Sequence, residues 1–168
     1  YYYQVMEDHL FMKSDKFKSL VGTLFGSIKK LTIALVILNT LLLGSMLVTS
    51  FYQAGGGFPL DDSWIHQTYA RGIAETGTWQ YSLNGKSAGS TSPLWTVFLV
   101  PGHLTSPSNP YAWTFLLTWF TYISLLAVSV MLLYRLSRGN LGLTAVFGIS
   151  LSMEWHLLWA AGSGMETL

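Results

Sequence analysis

Three stretches of the chain are apolar for long enough to be read as membrane-crossing helices, and the polar segments between them set the rest of the predicted architecture. Residues 31–50 carry no charged side chain, and some 20 such residues suffice to cross roughly 30 Å of hydrocarbon as an α-helix. Residues 111–134 form a second stretch, closed by Tyr134, Arg135 and Arg138; residues 141–161 form a third, interrupted by Glu154 and His156. A cleaved signal peptide competes for the first, with Lys29 and Lys30 as its basic start. The apolar run is longer than a usual signal core, however, and no clear small-x-small cleavage site follows it. Upstream, Leu20, Val21, Leu24, Phe25 and Ile28 recur at helical spacing within the basic segment 1–30, which suggests an amphipathic helix on a membrane surface or a disordered tail.

The stretch 93–106 decides the predicted topology. It is apolar but short, with Pro101 and Gly102 inside it, so it is too brief and too broken to span. Lys13, Lys16, Lys18, Lys29 and Lys30 precede the first span, and Arg135 and Arg138 follow the second. If 93–106 does not cross, all of these share the cytoplasmic side, and the outer side keeps only Arg71 and Lys86, as the positive-inside rule requires. The expected order is therefore a cytoplasmic tail (1–30), a first span (31–50), an outer loop (51–110), a second span (111–134), a cytoplasmic loop (135–140), a third span (141–161) and the start of a second outer segment (162–168). A surface helix over 62–76 and a re-entrant or interfacial helix over 93–106 lie in the large outer loop.

Composition supports lipid as the main solvent. Hydrophobic residues make up 51% of the chain and charged residues only 10%, where soluble domains carry about a quarter charged. The net charge of +1 carries little information because the charges are segregated, and the absence of cysteine removes disulfide and thiolate–metal chemistry. Nothing points to nucleic acid. The predicted fold class is an all-α polytopic integral membrane protein. Because the chain opens at Tyr1 rather than Met and ends close behind its third apolar stretch, it reads as the N-terminal fragment of a longer one.

The most informative polar run is Phe58-Pro59-Leu60-Asp61-Asp62-Ser63-Trp64. It carries a helix start signal with Asp62 or Ser63 as N-cap. It lacks a full capping box, since Ile65 and His66 occupy the third helical positions where Glu or Gln would be needed. The helix should stop at Gly77, with Trp64, Ile65, Thr68, Tyr69, Gly72 and Ile73 as its less polar stripe. One aspartate is explained as a cap that complements the helix dipole. Two adjacent ones repel each other, and such a pair at the exit of a span suits a general base or an anchor for a divalent cation, magnesium or manganese, on Asp61 or Asp62. His66 and His103 lack a recognisable ligand spacing and read as surface or interface histidines. Lys86 reads as a solvated residue of the Asn84-Gly85-Lys86-Ser87 turn, and Arg71 as a snorkelling interfacial side chain. Glu154 is either an intramembrane acid facing a cavity or partner, or marks a helix that ends early.

The run 61–95, Asp-Asp-Ser-Trp-Ile-His-Gln-Thr-Tyr-Ala onward to Gly-Ser-Thr-Ser-Pro-Leu-Trp, resembles the first extracytoplasmic loop of C-type glycosyltransferases, polytopic enzymes of the GT-C fold that use polyprenyl-phosphate sugars as donors. It is most similar to the branch of bacterial arabinofuranosyltransferases, and more distantly to protein O-mannosyltransferases and lipid A aminoarabinose transferase. Ser163-Gly164-Met165-Glu166-Thr167 resembles a motif after the third span of that branch. The resemblance implies a membrane glycosyltransferase of the cell envelope, in a prokaryotic plasma membrane, with its active site outside. It implies catalytic roles for Asp61 and Asp62, and for Glu166 as a second acid. Arg71 and Lys86 become candidates for contacting the donor phosphate, and Trp95 and Phe98 for bounding the lipid groove. Many relatives carry a basic residue near position 68, where this chain has Thr68 and offers Arg71 instead. The implied partners are a polyprenyl-phosphate sugar, a glycan, lipid or protein acceptor, and membrane lipid. Two other classes stay open: an ion-coupled transporter using Asp61, Asp62 and Glu154, and a non-catalytic membrane subunit.

Overall fold

The computed structural model describes residues 26–53, 57–82, 85–87 and 89–165, besides residues 19, 22 and 23. The helix expected within 1–30 falls almost wholly outside the described residues. Among the described residues six helices and one small ribbon follow in order: α1 (Ile28–Gln53), α2 (Asp61–Thr76), β1 (Gln80–Ser82), β2 (Gly85–Lys86), α3 (Pro93–Thr105), α4 (Tyr111–Leu136), α5 (Leu141–Ser152) and α6 (Trp155–Ser163). Among the described residues, α1 and α4, of 26 residues each, are long and apolar enough to cross a membrane, and α5 with α6 counts as a third candidate if the broken pair is one span.

One expected helix is divided. The stretch 141–161 is not one helix: after Ser152 the amides of Met153 and Glu154 turn back to Ile149 and Leu151, and a new helix starts at Trp155. Glu154 thus sits in the break between two helices. The described residues are mostly helical, as expected, with almost no strand: β1 and β2 pair antiparallel with an irregular register between Gln80 and Ser82. By contrast α3 runs unbroken through Pro101. Its 13 residues reach only about 20 Å at 1.5 Å per residue, well short of a span.

The chain divides into two compact units. The first joins the chain up to Thr40 with Ile123–Glu154. Its core is Leu31, Leu35, Leu126, Val130 and Ala145. The helices approach closely because α5 presents small residues, with Ala145, Gly148 and Ser152 all buried. A polar clamp accompanies this contact: the fully buried Asn39 amide donates to Leu35 O (2.7 Å) and Ser152 Oγ (2.6 Å), and that hydroxyl donates to Gly148 O (2.7 Å). A Cβ at Gly148 would overlap Leu35 Cδ1. Gly148→Leu is therefore expected to overpack the contact by about 1–3 kcal/mol, read as a lowered thermal midpoint of the detergent-purified protein; an unchanged midpoint would contradict this packing.

The second unit joins Leu41–Tyr122 with Trp155–Leu168, and α2 lies at its centre. The face that α2 buries is not the apolar stripe read from its sequence. Ser63, His66, Gln67 and Ala70 are buried at i, i+3, i+4 and i+7, together with Tyr69, whereas Trp64 stays 39% exposed. The reason is that α3 and α4 supply polar partners to this face, and a buried polar group is stable only when paired.

Candidate functional site at the start of α2

The helix carrying the acidic pair begins one residue earlier than expected. Leu60, extended at φ −123°, holds the N-cap position without a side-chain cap, so neither Asp62 nor Ser63 is the cap. The Ser63 hydroxyl is committed elsewhere, donating to Ser163 O at 2.6 Å. Asp61 and Asp62 occupy the first turn and are exposed. Among the described residues, neither carboxylate has a hydrogen-bond or ion-pair partner. Their negative charge complements the helix dipole while leaving their oxygens open to solvent.

This helix start is held from both sides. Phe58 is buried in an aromatic cluster, with ring centroids 5.3 Å from Tyr111, 5.3 Å from Phe115 and 5.7 Å from Trp64. Against Phe58 packs Gly164, in the left-handed region at φ 78°, where a Cβ would overlap the Phe58 ring. Ser163 Oγ donates to Ala160 O and accepts from Met165 N, which locks the turn after α6. Trp95 of α3 donates from Nε1 to Gly164 O at 3.3 Å. The 163–165 turn is thus tied to α2 one residue past the acidic pair and to α3 at Trp95.

The same turn borders a cavity of about 320 Å³ between α3 and the first half of α4, lined by Leu94, Trp95, Phe98, Met165, Ser92, Thr118 and Thr121. Phe98 is fixed through its carbonyl, which accepts from Trp113 Nε1 at 2.8 Å. The two residues proposed from sequence for a lipid groove therefore line one apolar cavity. Arg71 lies elsewhere, in a polar cleft of about 340 Å³ with Thr68, Gly72, Glu75 and the ribbon residues Gln80, Tyr81 and Ser82. That cleft exists because the ribbon lies directly on α2: a Cβ at Gly72 would come within 2.5 Å of Gln80 O. Tyr69 pins the ribbon from below, its ring beside Trp79 and Tyr81 and its hydroxyl bonded to Ser87 Oγ (2.7 Å) and Gly89 N (2.8 Å). Arg71 and the Trp95–Phe98 pair thus line different cavities. Glu166 and the Lys86 side chain fall outside the described residues.

Sequence reasoning missed the polar seam under α2. Gln67 donates from Nε2 to Thr114 Oγ1 (2.7 Å) and its Oε1 meets His103 Nε2 (2.9 Å). His66 Nδ1 meets Thr96 Oγ1 (3.1 Å) and Ser90 Oγ (3.3 Å), and Ser90 and Thr96 bond each other at 2.9 Å. Both histidines are buried, 1% and 9% exposed, in place of the surface or interface positions read from the sequence; hydroxyl and amide groups bond them in place of water. The spacing 63, 66, 67, 70 was the available signal. Among the described residues no three His, Asp or Glu side chains stand together as a metal-binding group.

Burial lowers the His103 pKa below its ordinary 6.5, the Arg71 charge lowers it further, and Glu75 partly offsets this. The unfolded chain therefore binds the proton more readily than the folded one, and stability falls as pH drops below about 6.5. A thermal midpoint that declines between pH 7 and pH 5, with the decline reduced in His103→Gln, is the expected result. An identical decline in the variant would contradict it.

Comparison with protein-family models, curated proteins and solved structures finds no match.

Proposed function

We propose that the chain is the N-terminal part of a polytopic membrane glycosyltransferase of the C-type, moving a sugar from a polyprenyl-phosphate donor to a glycan, lipid or protein acceptor on the extracytoplasmic face. In this reading α1 and α4 are spans, the basic residues up to Lys30 in the first turn of α1 and from Arg135 in the last turn of α4 onward face the cytoplasm of a prokaryotic cell, and α2 and α3 belong to the outer loop. The observation that carries the proposal is the tie between Ser63 and Ser163. It joins the first turn of α2, with its two exposed carboxylates, to a turn whose next residues bond Trp95 and border the apolar cavity.

The chemistry follows from those parts. Asp61 or Asp62 takes the proton from an acceptor hydroxyl. The freed oxygen bonds the anomeric carbon of the donor as the bond from that carbon to the phosphate oxygen breaks, and the lipid phosphate leaves with the electron pair. The cavity at Trp95 and Phe98 shelters the first apolar carbons of the polyprenyl chain. A cation beside the departing phosphate lowers the barrier. Lys86 is a candidate, or a divalent cation that Asp61 or Asp62 would hold, with Glu166 as a further acid; Arg71, ten residues and about 15 Å further along α2 and in a separate cleft, stands apart from that place. A transporter would place its acids within broken apolar helices near the bilayer middle; Glu154 stands at such a break, whereas Asp61 and Asp62 stand at an exposed helix start.

The experiment uses membranes carrying the full-length protein. Transfer to acceptor should require the polyprenyl-phosphate sugar and disappear when a nucleotide sugar replaces it. Membranes that transfer equally well without the lipid-linked donor overturn the proposal.

A further inference from the structure

The first unit holds a cavity that the glycosyl-transfer reading does not use. It measures about 440 Å³ and lies between the first turns of α1 and the last turns of α4. Lys29 enters it from α1 and Arg135 from α4; Ile33 and Met131, each about half exposed, form its walls one helical turn further in. The cations stand near the helix ends and the apolar side chains toward the helix middles, roughly 6 Å along each axis for four residues at 1.5 Å apiece. The Thr32 hydroxyl is already committed to Ile28 O at 2.9 Å, so the two cations, with the Tyr134 hydroxyl beside them, are the groups left to meet a ligand's polar end.

Charge points the same way. The described residues of this unit include Lys29, Lys30, Arg135 and Arg138 but only one acid, Glu154, which lies beyond the far end of α5. Among the described residues no acid lines the cavity. Two cations delivered by different helices over an apolar floor match a molecule with an anionic head and hydrocarbon tails. A free phosphate would satisfy the cations and leave the walls at Ile33 and Met131 in water.

We infer that this cavity binds one anionic phospholipid, its phosphate bridging Lys29 and Arg135 and an acyl chain covering Ile33 and Met131. The inference rests on α1 and α4 being membrane spans but not on glycosyl transfer. A basic pocket between helix ends on the cytoplasmic side is a suitable seat for such a headgroup, and the bound lipid would join α1 to α4.

The test is native mass spectrometry of the full-length protein from neutral detergent, titrated with phosphatidylglycerol or phosphatidylcholine. A phosphatidylglycerol adduct should persist where phosphatidylcholine is stripped. Lys29→Gln with Arg135→Gln should weaken it roughly 20- to 30-fold, at about fivefold for each charge removed. Lys30→Gln with Arg138→Gln removes the same charge outside the cavity lining and should leave the adduct in place, which separates the site from net charge. Three results would overturn the inference: equal retention of both lipids, displacement of phosphatidylglycerol by millimolar inorganic phosphate, or equal weakening in the two double variants. Alkaline extraction of membranes tests the span reading separately, since a protein released by it fails that reading whatever lipids it binds.

Discussion

Asp61→Asn and Asp62→Asn should separate sharply, with one of the two losing about 10²- to 10⁴-fold in turnover, the range expected when a positioned general base is removed. Asparagine keeps the size and planarity of the side chain but cannot accept the acceptor's proton. Folding should survive the change, because both residues are exposed and, among the described residues, neither carboxylate is engaged in a hydrogen bond or ion pair. Their favourable interaction with the helix dipole is a surface effect that salt screens. Expression and thermal midpoint near the parent's, with turnover collapsed in one variant and reduced less in the other, is the expected pattern. Full turnover in both would remove these carboxylates from the chemistry.

Gly164→Val should be the most damaging single change in the second unit. A β-branched residue at φ 78° is strained by about 1–2 kcal/mol, and its side chain would overlap the Phe58 ring, adding an overpacking cost of about 1–3 kcal/mol. The turn cannot move alone, since it carries both the Ser163 carbonyl that accepts from Ser63 and the Gly164 carbonyl that accepts from Trp95. The expected result is a lowered thermal midpoint together with lost transfer. Phe58→Ala in the same chain should relieve the overlap while leaving the backbone strain, so it should restore the midpoint only in part. A Gly164→Val protein with parental midpoint and turnover would mean that the turn is not built as described.

How much of this was legible in the sequence depends on what each residue's partners are. The long apolar runs of α1 and α4 announced themselves, because a helix whose environment is uniformly apolar needs only length. Gly77 stopped α2 at Thr76 through its left-handed φ of 69°, a local event that a single residue type encodes. The wrong face was read for α2 because polar residues were assumed to point to water. Ser63, His66 and Gln67 instead find Ser163, Thr96, His103 and Thr114, which are 30 to 100 positions away in the chain, so no local pattern could pair them. The break at Met153–Glu154 was visible as an acid in an apolar run, but where the helix divides required the backbone. The ribbon was missed although Asn84-Gly85 lies between Tyr81 and Lys86, a known hairpin signal, because the flanking segments are short and polar. Phe98 and Trp95 were named from resemblance, and their shared cavity arises from spacing along α3 that sequence alone does not close against α4.

The most direct measurement is photo-crosslinking with a polyprenyl-phosphate sugar that carries a photoreactive group on its first isoprene units. Labelling should fall on Trp95, Phe98 or Met165, be competed by unmodified donor, and persist in Asp61→Asn and Asp62→Asn proteins that no longer turn over. Label that is competed by donor yet maps away from α3 and the 163–165 turn would contradict the placing of donor and carboxylates in one site.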